Sequence, residues 1–177
     1  MSIKHPIISV TGPSGAGTST VKHTFQQIFR RESVKAVTLE GDAFHRYNRK
    51  EMKKELEKRH AAGDATFSHF SFDANLLPEL EDCFRNYSEQ GTYRYRHYVH
   101  NSNEENLYGV KSGNFTKWEK FEEPSDLLFY EGLHGAVVNE EINLARYADL
   151  KIGVVPVINL EWIQKIHRDT DSRGYST

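Results

Sequence analysis

A glycine-rich segment between an apolar stretch and a helix-like stretch constrains this chain more than any other feature. Residues 12–20 read Gly-Pro-Ser-Gly-Ala-Gly-Thr-Ser-Thr, and Gly12 and Gly17 have the spacing of the phosphate-binding pattern G-x-x-x-x-G-K-[ST]. Ser19 occupies the hydroxyl position, but Thr18 stands where the pattern has its lysine. Because that lysine normally reaches the terminal phosphates, either another residue supplies the positive charge or the loop takes no part in phosphoryl transfer.

The sequence on both sides of the loop supports phosphate binding. Residues 7–11 are apolar and largely β-branched, as in a buried strand, and apolar residues recur at helical spacing after residue 20. A strand, a glycine-rich turn and a helix together direct backbone N–H groups and a helix N-terminus at an anion. The alternative is an ordinary strand-to-helix turn rich in small residues. We therefore predict a nucleotide phosphate site, with Ser19 holding Mg²⁺, formed by Gly12, Pro13, Ser14, Gly15, Ala16, Gly17, Thr18, Ser19 and Thr20.

Strands and helices alternate along the rest of the chain. We predict further strands over 34–40, 126–132 and 149–156, and helices over 49–60, from about 75 to 87, and over 159–168. This alternation predicts an α/β fold with a mainly parallel sheet flanked by helices, which binds ligands at the carboxyl ends of its strands. Residues 92–100 alternate like a half-solvated strand with a partner at 115–118, which indicates an inserted antiparallel hairpin.

Length and composition restrict the possible functions. A chain of 177 residues corresponds to a single domain, and its net charge of −2 argues against a general nucleic-acid binder. The single cysteine, Cys83, excludes an internal disulfide and fits a reducing cytosol, so we expect a cytoplasmic protein. Because Cys83 falls in a predicted helix, we expect its thiol to be packed. We also expect no membrane segment. None of the 9 histidines has convincing zinc-ligand spacing. The turn-like residues 173–177 directly follow an amphipathic segment, so we expect the domain to be incomplete at its C-terminus.

Two acidic residues follow apolar strands, at positions that a parallel sheet brings to one edge together with the loop. Glu131 lies near the end of the strand over 126–132, where the Mg²⁺-linked acid is expected. Asp42 follows the strand over 34–40 and is close in sequence to His45 and Arg49. A carboxylate on that side can accept the proton of an attacking hydroxyl. The alternative for either acid is a helix cap or a surface position.

A cluster of charged residues near the end of the chain offers the positive charge that Thr18 does not provide. Lys165, Arg168 and Asp169 have i, i+3 and i+4 spacing on the last predicted helix, and Arg173 follows in a turn. Clustered cations of this kind can close over a transferring phosphoryl group. The alternative is a solvated helix end with an ordinary Arg–Asp pair.

Several blocks of the sequence resemble the bacterial phosphoribulokinase family. They are residues 12–20, 40–46, 128–135 and 154–165, followed by Arg168-Asp169 and Arg173-Gly174-Tyr175. A loop without its lysine is itself a feature of that branch. The resemblance implies a P-loop NTPase-like fold and the ATP-dependent phosphorylation of the 1-hydroxyl of D-ribulose 5-phosphate to ribulose 1,5-bisphosphate, a step of carbon fixation in the Calvin cycle.

The resemblance also implies roles for individual residues. Asp42 would be the catalytic base and Glu131 the acid that binds Mg-ATP. The residues at the sugar phosphate would be His45, Arg49, Tyr98, His100 and Arg173, and those at the reacting end Lys165, Arg168 and Asp169. A homo-oligomer activated by NADH and inhibited by AMP would follow. Two other functions remain open: a related kinase for uridine or pantothenate, and a nucleotide-binding regulator without turnover.

Overall fold

The computed structural model describes residues 4–167, which form an α/β fold. No helix within this range is both long and apolar enough to cross a membrane. In chain order the elements are β1 (Ile7–Thr11), α1 (Thr18–Arg31), β2 (Ala36–Glu40), α2 (Arg49–Ala61), α3 (Leu77–Gln90), β3 (Tyr93–Tyr95), α4 (Ser102–Tyr108), β4 (Glu119–Phe121), β5 (Leu127–Gly132), β6 (Leu150–Gly153) and α5 (Ile158–His167). The last residue of the final predicted helix, Arg168, lies outside the described range.

The main sheet has four parallel strands in the order β2-β5-β1-β6, which confirms the predicted parallel sheet. Since β5 lies between β1 and β2, the ends of these three strands are neighbours. Val10 of β1 and Glu40 of β2 both pair in register with Glu131 of β5. The first predicted strand has the observed bounds, whereas β6 ends at Gly153 and not at 156.

Apolar side chains cover both faces of this sheet. On one face the helix α3 contributes Leu80, Phe84 and Tyr87 to a large cluster, and on the other Phe25 and Phe29 of α1 pack near a buried phenylalanine of β5. Each fully buried side chain of this size contributes about 1.5–3 kcal/mol relative to exposure. The strand ends that carry polar residues are therefore held by a packed core.

The thiol of Cys83 belongs to this core. It is 2% exposed and lies in α3, and its burial raises the pKa of the thiol to about 12. A thiol that stays protonated at neutral pH is a poor nucleophile, so the expected packed cysteine is confirmed.

The inserted antiparallel pair is present, but its second strand differs from the predicted one. β3 pairs with β4 at 119–121, whereas the predicted partner at 115–118 is joined to the first segment by an isolated bridge between Tyr98 and Phe115. The intervening helix α4 was not predicted. It begins where the Asn101 side chain accepts hydrogen bonds from two backbone amides and ends at Gly109, whose φ is 66°.

Candidate active site

Three groups identified from the sequence meet at the carboxyl edge of the parallel sheet. The loop 12–17 follows β1, Glu131 is the penultimate residue of β5, and Asp42 lies two residues beyond β2. Because these strands are neighbours, the loop and the two acids border one cleft, as ligand sites of open α/β sheets do.

The loop presents an open helix N-terminus to this cleft. Gly17 immediately precedes α1 with a φ of 93°, a conformation that side chains rarely adopt, and it offers the helix no side-chain cap. At the start of the loop, a Cβ on Gly12 would lie 2.8 Å from the carbonyl oxygen of Val154. A side chain would therefore clash at Gly12 and strain the backbone at Gly17. No side chain caps the start of α1, which leaves this helix N-terminus open to an anion.

The residue at the lysine position of the loop contacts the candidate magnesium-binding acid. The hydroxyl of Thr18 donates a hydrogen bond of 2.5 Å to Oε1 of Glu131. One helical turn later, Lys22 donates to Glu40 Oε1 at 2.7 Å and lies 3.8 Å from Glu131 Oε2. Burial alone lowers the pKa of Lys22, but the hydrogen bond and charge of Glu40, with the charges of the other nearby acids, raise it above its ordinary value. Lys22 is therefore a fixed positive charge inside the site.

The candidate base, Asp42, lies between two imidazoles. Its carboxylate is 3.3 Å from Nε2 of His45 and 3.7 Å from Nε2 of His100. The other ring nitrogen of His45 lies 2.8 Å from Oδ1 of Asn75. Burial by itself lowers the pKa of His45, but the hydrogen bond and charge of Asp42 and the contact with Asn75 outweigh it and raise this pKa. The imidazole and carboxylate thus form a polarised pair.

The other predicted sugar-phosphate residues gather around this pair. The ring of Tyr98 is 4.8 Å from that of His100 and 6.3 Å from that of His45, measured between centroids. Arg49, at the start of α2, donates to the carbonyl oxygen of His100 and to the hydroxyl of Ser112, both at 3.1 Å. One polar wall beside Asp42 is therefore formed by His45, Arg49, Tyr98 and His100. Arg173 lies outside the described residues.

Lys165 lies beside the first residues of the phosphate loop. A cavity of about 330 Å³ is lined by Pro13, Ser14, Phe70, Leu133 and Lys165. The ammonium group of Lys165 is 5.7 Å from the ring centroid of Phe70. The helix α5 therefore brings one cation next to the loop, and its predicted role at the reacting end stays a prediction. Arg168 and Asp169 lie outside the described range.

Sequence reasoning missed two residues of this region. Lys22 is four residues after Thr18, which places both on one face of α1, but a lysine on an amphipathic helix by itself indicates only a solvent-facing position. Arg96 lies in the segment 92–100, whose alternation predicts only a half-solvated strand. Its guanidinium donates to the carbonyl oxygens of Ala43 and His45, next to the candidate base. No local sequence pattern predicts these hydrogen bonds, because Ala43 and His45 are distant from Arg96 in the sequence.

Comparison with known proteins places the chain in a family. The model described as the Phosphoribulokinase / Uridine kinase family matches residues 7–177. The chain belongs to this family. It is 71% identical over 177 residues to Phosphoribulokinase 1 of Cereibacter sphaeroides and 63% identical over 174 residues to the phosphoribulokinase of Nitrobacter vulgaris. These matches cover 100% and 98% of this chain, and 61% and 60% of those relatives. The chain thus spans about 61% of the length of the curated relatives it matches.

Solved structures of known proteins share the fold of this chain. The structure of phosphoribulokinase from Rhodobacter spheroides matches with a TM-score of 0.84 and 68% identity, over 98% of this chain and 59% of that one. D-glycerate 3-kinase from Cryptococcus neoformans matches with a TM-score of 0.58 and 11% identity, over 98% of this chain and 71% of that one. The second likeness concerns the fold alone. The predicted P-loop kinase fold is confirmed.

Proposed function

We propose that this chain provides the nucleotide site and the catalytic base of a phosphoribulokinase. The reaction is the transfer of the γ-phosphoryl group of ATP to the 1-hydroxyl of D-ribulose 5-phosphate. One observation carries the proposal: the carboxylate of Asp42, flanked by His45 and His100, lies on the same sheet edge as the phosphate loop and Glu131. The high identity to relatives named phosphoribulokinase supports the choice of acceptor.

The nucleotide side consists of the loop 12–20 and its neighbours. Backbone amides at the start of α1 bind the phosphates, and the nearby ammonium group of Lys165 adds positive charge. The residues also fit Mg²⁺, because the exposed hydroxyl of Ser19 and the largely buried carboxylate of Glu131 offer the oxygen ligands that this ion prefers. When bound, the ion would neutralise charge on the transferring phosphates.

The acceptor side centres on Asp42. Its carboxylate takes the proton of the 1-hydroxyl while that oxygen attacks the γ-phosphorus, and the bond between this phosphorus and the bridging oxygen breaks to release ADP. The sugar phosphate is held by a cationic and aromatic group, formed by His45, Arg49, Tyr98 and His100. The roles assigned to Arg168, Asp169 and Arg173 extend this proposal beyond the described residues.

A measurement of ADP release by the complete gene product tests the proposal. The enzyme receives Mg²⁺ and ATP with ribulose 5-phosphate, with uridine, with pantothenate, or with no acceptor. We expect turnover with ribulose 5-phosphate and formation of ribulose 1,5-bisphosphate in equal amount to ADP. Turnover with uridine or pantothenate alone would replace the proposed acceptor. Binding of ATP without turnover on any acceptor would instead indicate a regulator.

A further inference from the structure

The candidate base is carried by a short 3₁₀ turn, Gly41–Phe44, that follows β2. Backbone contacts hold the far end of this turn, because the amide of Leu76 donates to the carbonyl oxygen of Phe44 at 2.7 Å and the amide of Arg46 donates to that of Ala74 at 2.9 Å. These contacts fix one side of the turn against the segment before α3. The opposite side faces the inserted antiparallel pair.

On that opposite side, Arg96 contacts the turn with two hydrogen bonds. Its Nε donates to the carbonyl oxygen of Ala43 at 2.8 Å, and its Nη2 donates to that of His45 at 2.6 Å. The two acceptors lie one and three residues after Asp42. A planar guanidinium that spans two carbonyl oxygens fixes the direction of the intervening peptides, which a single flexible donor cannot do.

The guanidinium of Arg96 is itself held by aromatic rings. It lies 3.6 Å from the ring centroid of Phe115 and 4.7 Å from that of Trp118. The Trp118 ring also packs against Phe44, at 5.7 Å between centroids. Burial lowers the pKa of Arg96 to about 10, partly offset by the charges of nearby glutamates, so the side chain remains charged at neutral pH. The segment that follows β3 thus holds a preorganised cation against the turn Gly41–Phe44.

We propose that Arg96 is a positioning residue for the proton-transfer step, because it locks the backbone that orients Asp42 and His45. The inference rests on the proposed function. This role does not require Arg96 to contact the substrate, since its guanidinium binds two carbonyl oxygens and lies against aromatic rings. An error of about 1 Å in the position of a reacting group can cost about 10²-fold in rate, so loosening this turn has a large effect on kcat.

The first test compares Arg96→Ala with Arg94→Ala in the complete gene product. Arg94 lies two residues earlier, in β3, is exposed, and its guanidinium is 5.8 Å from the Trp118 ring centroid, which makes it a matched control. We expect Arg96→Ala to lower kcat by about 10–100-fold and to leave the KM for ATP within about twofold. We expect Arg94→Ala to change neither. A folded Arg96→Ala enzyme with kcat within about twofold of wild type would overturn the inference.

Arg96→Lys provides a second variant in case the alanine variant does not fold. Lysine keeps the positive charge and much of the stem but cannot span two carbonyl oxygens with a rigid fork. We expect a loss of kcat of about 3–10-fold with a nearly unchanged thermal midpoint. An unchanged kcat in this variant would show that the charge alone suffices, and would overturn the positioning role.

Amide hydrogen exchange separates this inference from the proposed function, because it needs no acceptor substrate. We expect the amides of residues 41–46 to exchange at least about threefold faster in Arg96→Ala, while those of β1 and β5 stay protected. Unchanged exchange at 41–46 would overturn the contact-based part of the inference. A second outcome is that Arg96→Ala speeds exchange at 41–46 as expected but the wild-type protein does not phosphorylate ribulose 5-phosphate. That result would overturn the proposed function, and the catalytic part of this inference with it.

Discussion

The hydroxyl of Thr18 and the carboxylate of Glu131 are joined by a hydrogen bond of 2.5 Å. The bond links the lysine position of the phosphate loop to the acid of the adjacent strand. Two lysines outside the loop lie in this part of the molecule: Lys22 is 3.8 Å from Oε2 of Glu131, and Lys165 lines a cavity with Pro13 and Ser14 of the loop. The missing loop lysine is therefore accompanied by cations that reach the same region from other positions.

Replacing Thr18 by valine tests the bond to Glu131. Valine keeps the shape of the side chain but cannot donate, so one carboxylate oxygen loses a partner and the acid can rotate. Hydrogen bonds to charged groups contribute about 1.5–3 kcal/mol, and we expect kcat to fall about tenfold with ribulose 5-phosphate as acceptor. The control is Thr24→Val, because the Thr24 hydroxyl donates to the carbonyl oxygen of Thr20 on the exposed face of α1. Equal activity of the two variants would contradict the prediction.

Replacing Lys22 by methionine tests its role between two acids. Glu40 and Glu131 are register partners on adjacent strands, and Lys22 is the cation between them. Its side chain is 15% exposed, whereas that of Glu40 is 41% exposed, so solvent screens part of the interaction. We expect the free energy of unfolding to fall by about 1–3 kcal/mol, measured by urea denaturation. The double variant with Glu40→Gln should recover part of this loss, because it removes one of the two like charges. A Lys22→Met protein as stable as wild type would refute the role.

The phosphate loop and the acids at the strand ends could be predicted because their signals are local. Gly12, Gly17 and Ser19 follow an apolar strand at fixed spacing, and Glu131 lies near the end of another apolar strand. The parallel sheet then brings these groups together without further information. Local pattern and strand topology were sufficient for this part of the site.

The contacts of Lys22 and Arg96 depend instead on residues distant in sequence. Lys22 meets an acid 18 residues away, and Arg96 meets the backbone of Ala43 across 53 residues. No periodicity reports such pairs. The helix α4 was missed for another reason: a capping asparagine precedes its seven residues and a glycine follows them, but none of the seven is buried and they form no apolar stripe. Its local signal was therefore readable, but weaker than the alternation around it.

Replacing Asp42 by asparagine tests the proposed base directly. Asparagine keeps the size of the side chain but cannot accept a proton, so we expect kcat to fall by about 10²-fold or more with ATP binding largely retained. The variant Asp82→Asn is a suitable control, since Asp82 forms an exposed pair with Arg85 on α3. Steady-state kinetics and nucleotide titration provide the measurements. A near-normal kcat would reject Asp42 as the base.

Arg49→Ala tests the polar wall beside Asp42 separately from the proposed base. The guanidinium of Arg49 contacts the carbonyl oxygen of His100, beside the candidate sugar-phosphate site. Its removal should raise the KM for ribulose 5-phosphate by about tenfold or more and affect ATP much less. Lys53→Ala, one turn later on α2, is the control for a general loss of positive charge on this helix. An unchanged KM for the sugar phosphate in Arg49→Ala would count against the assignment.

The raised pKa of His45 predicts a pH-dependent contribution to stability. Burial opposes the shift, but the hydrogen bond and charge of Asp42 raise the pKa of the folded state above the ordinary value of 6.5. The folded protein therefore holds this proton more tightly than the unfolded chain. The resulting stabilisation is fully present below about pH 6.5 and is lost as the pH rises through the folded-state pKa. Urea denaturation of wild type and His45→Gln between about pH 6 and pH 9 measures this effect. We expect the stability difference between the two proteins to shrink over this interval, and a difference that stays constant or grows would disprove the assignment.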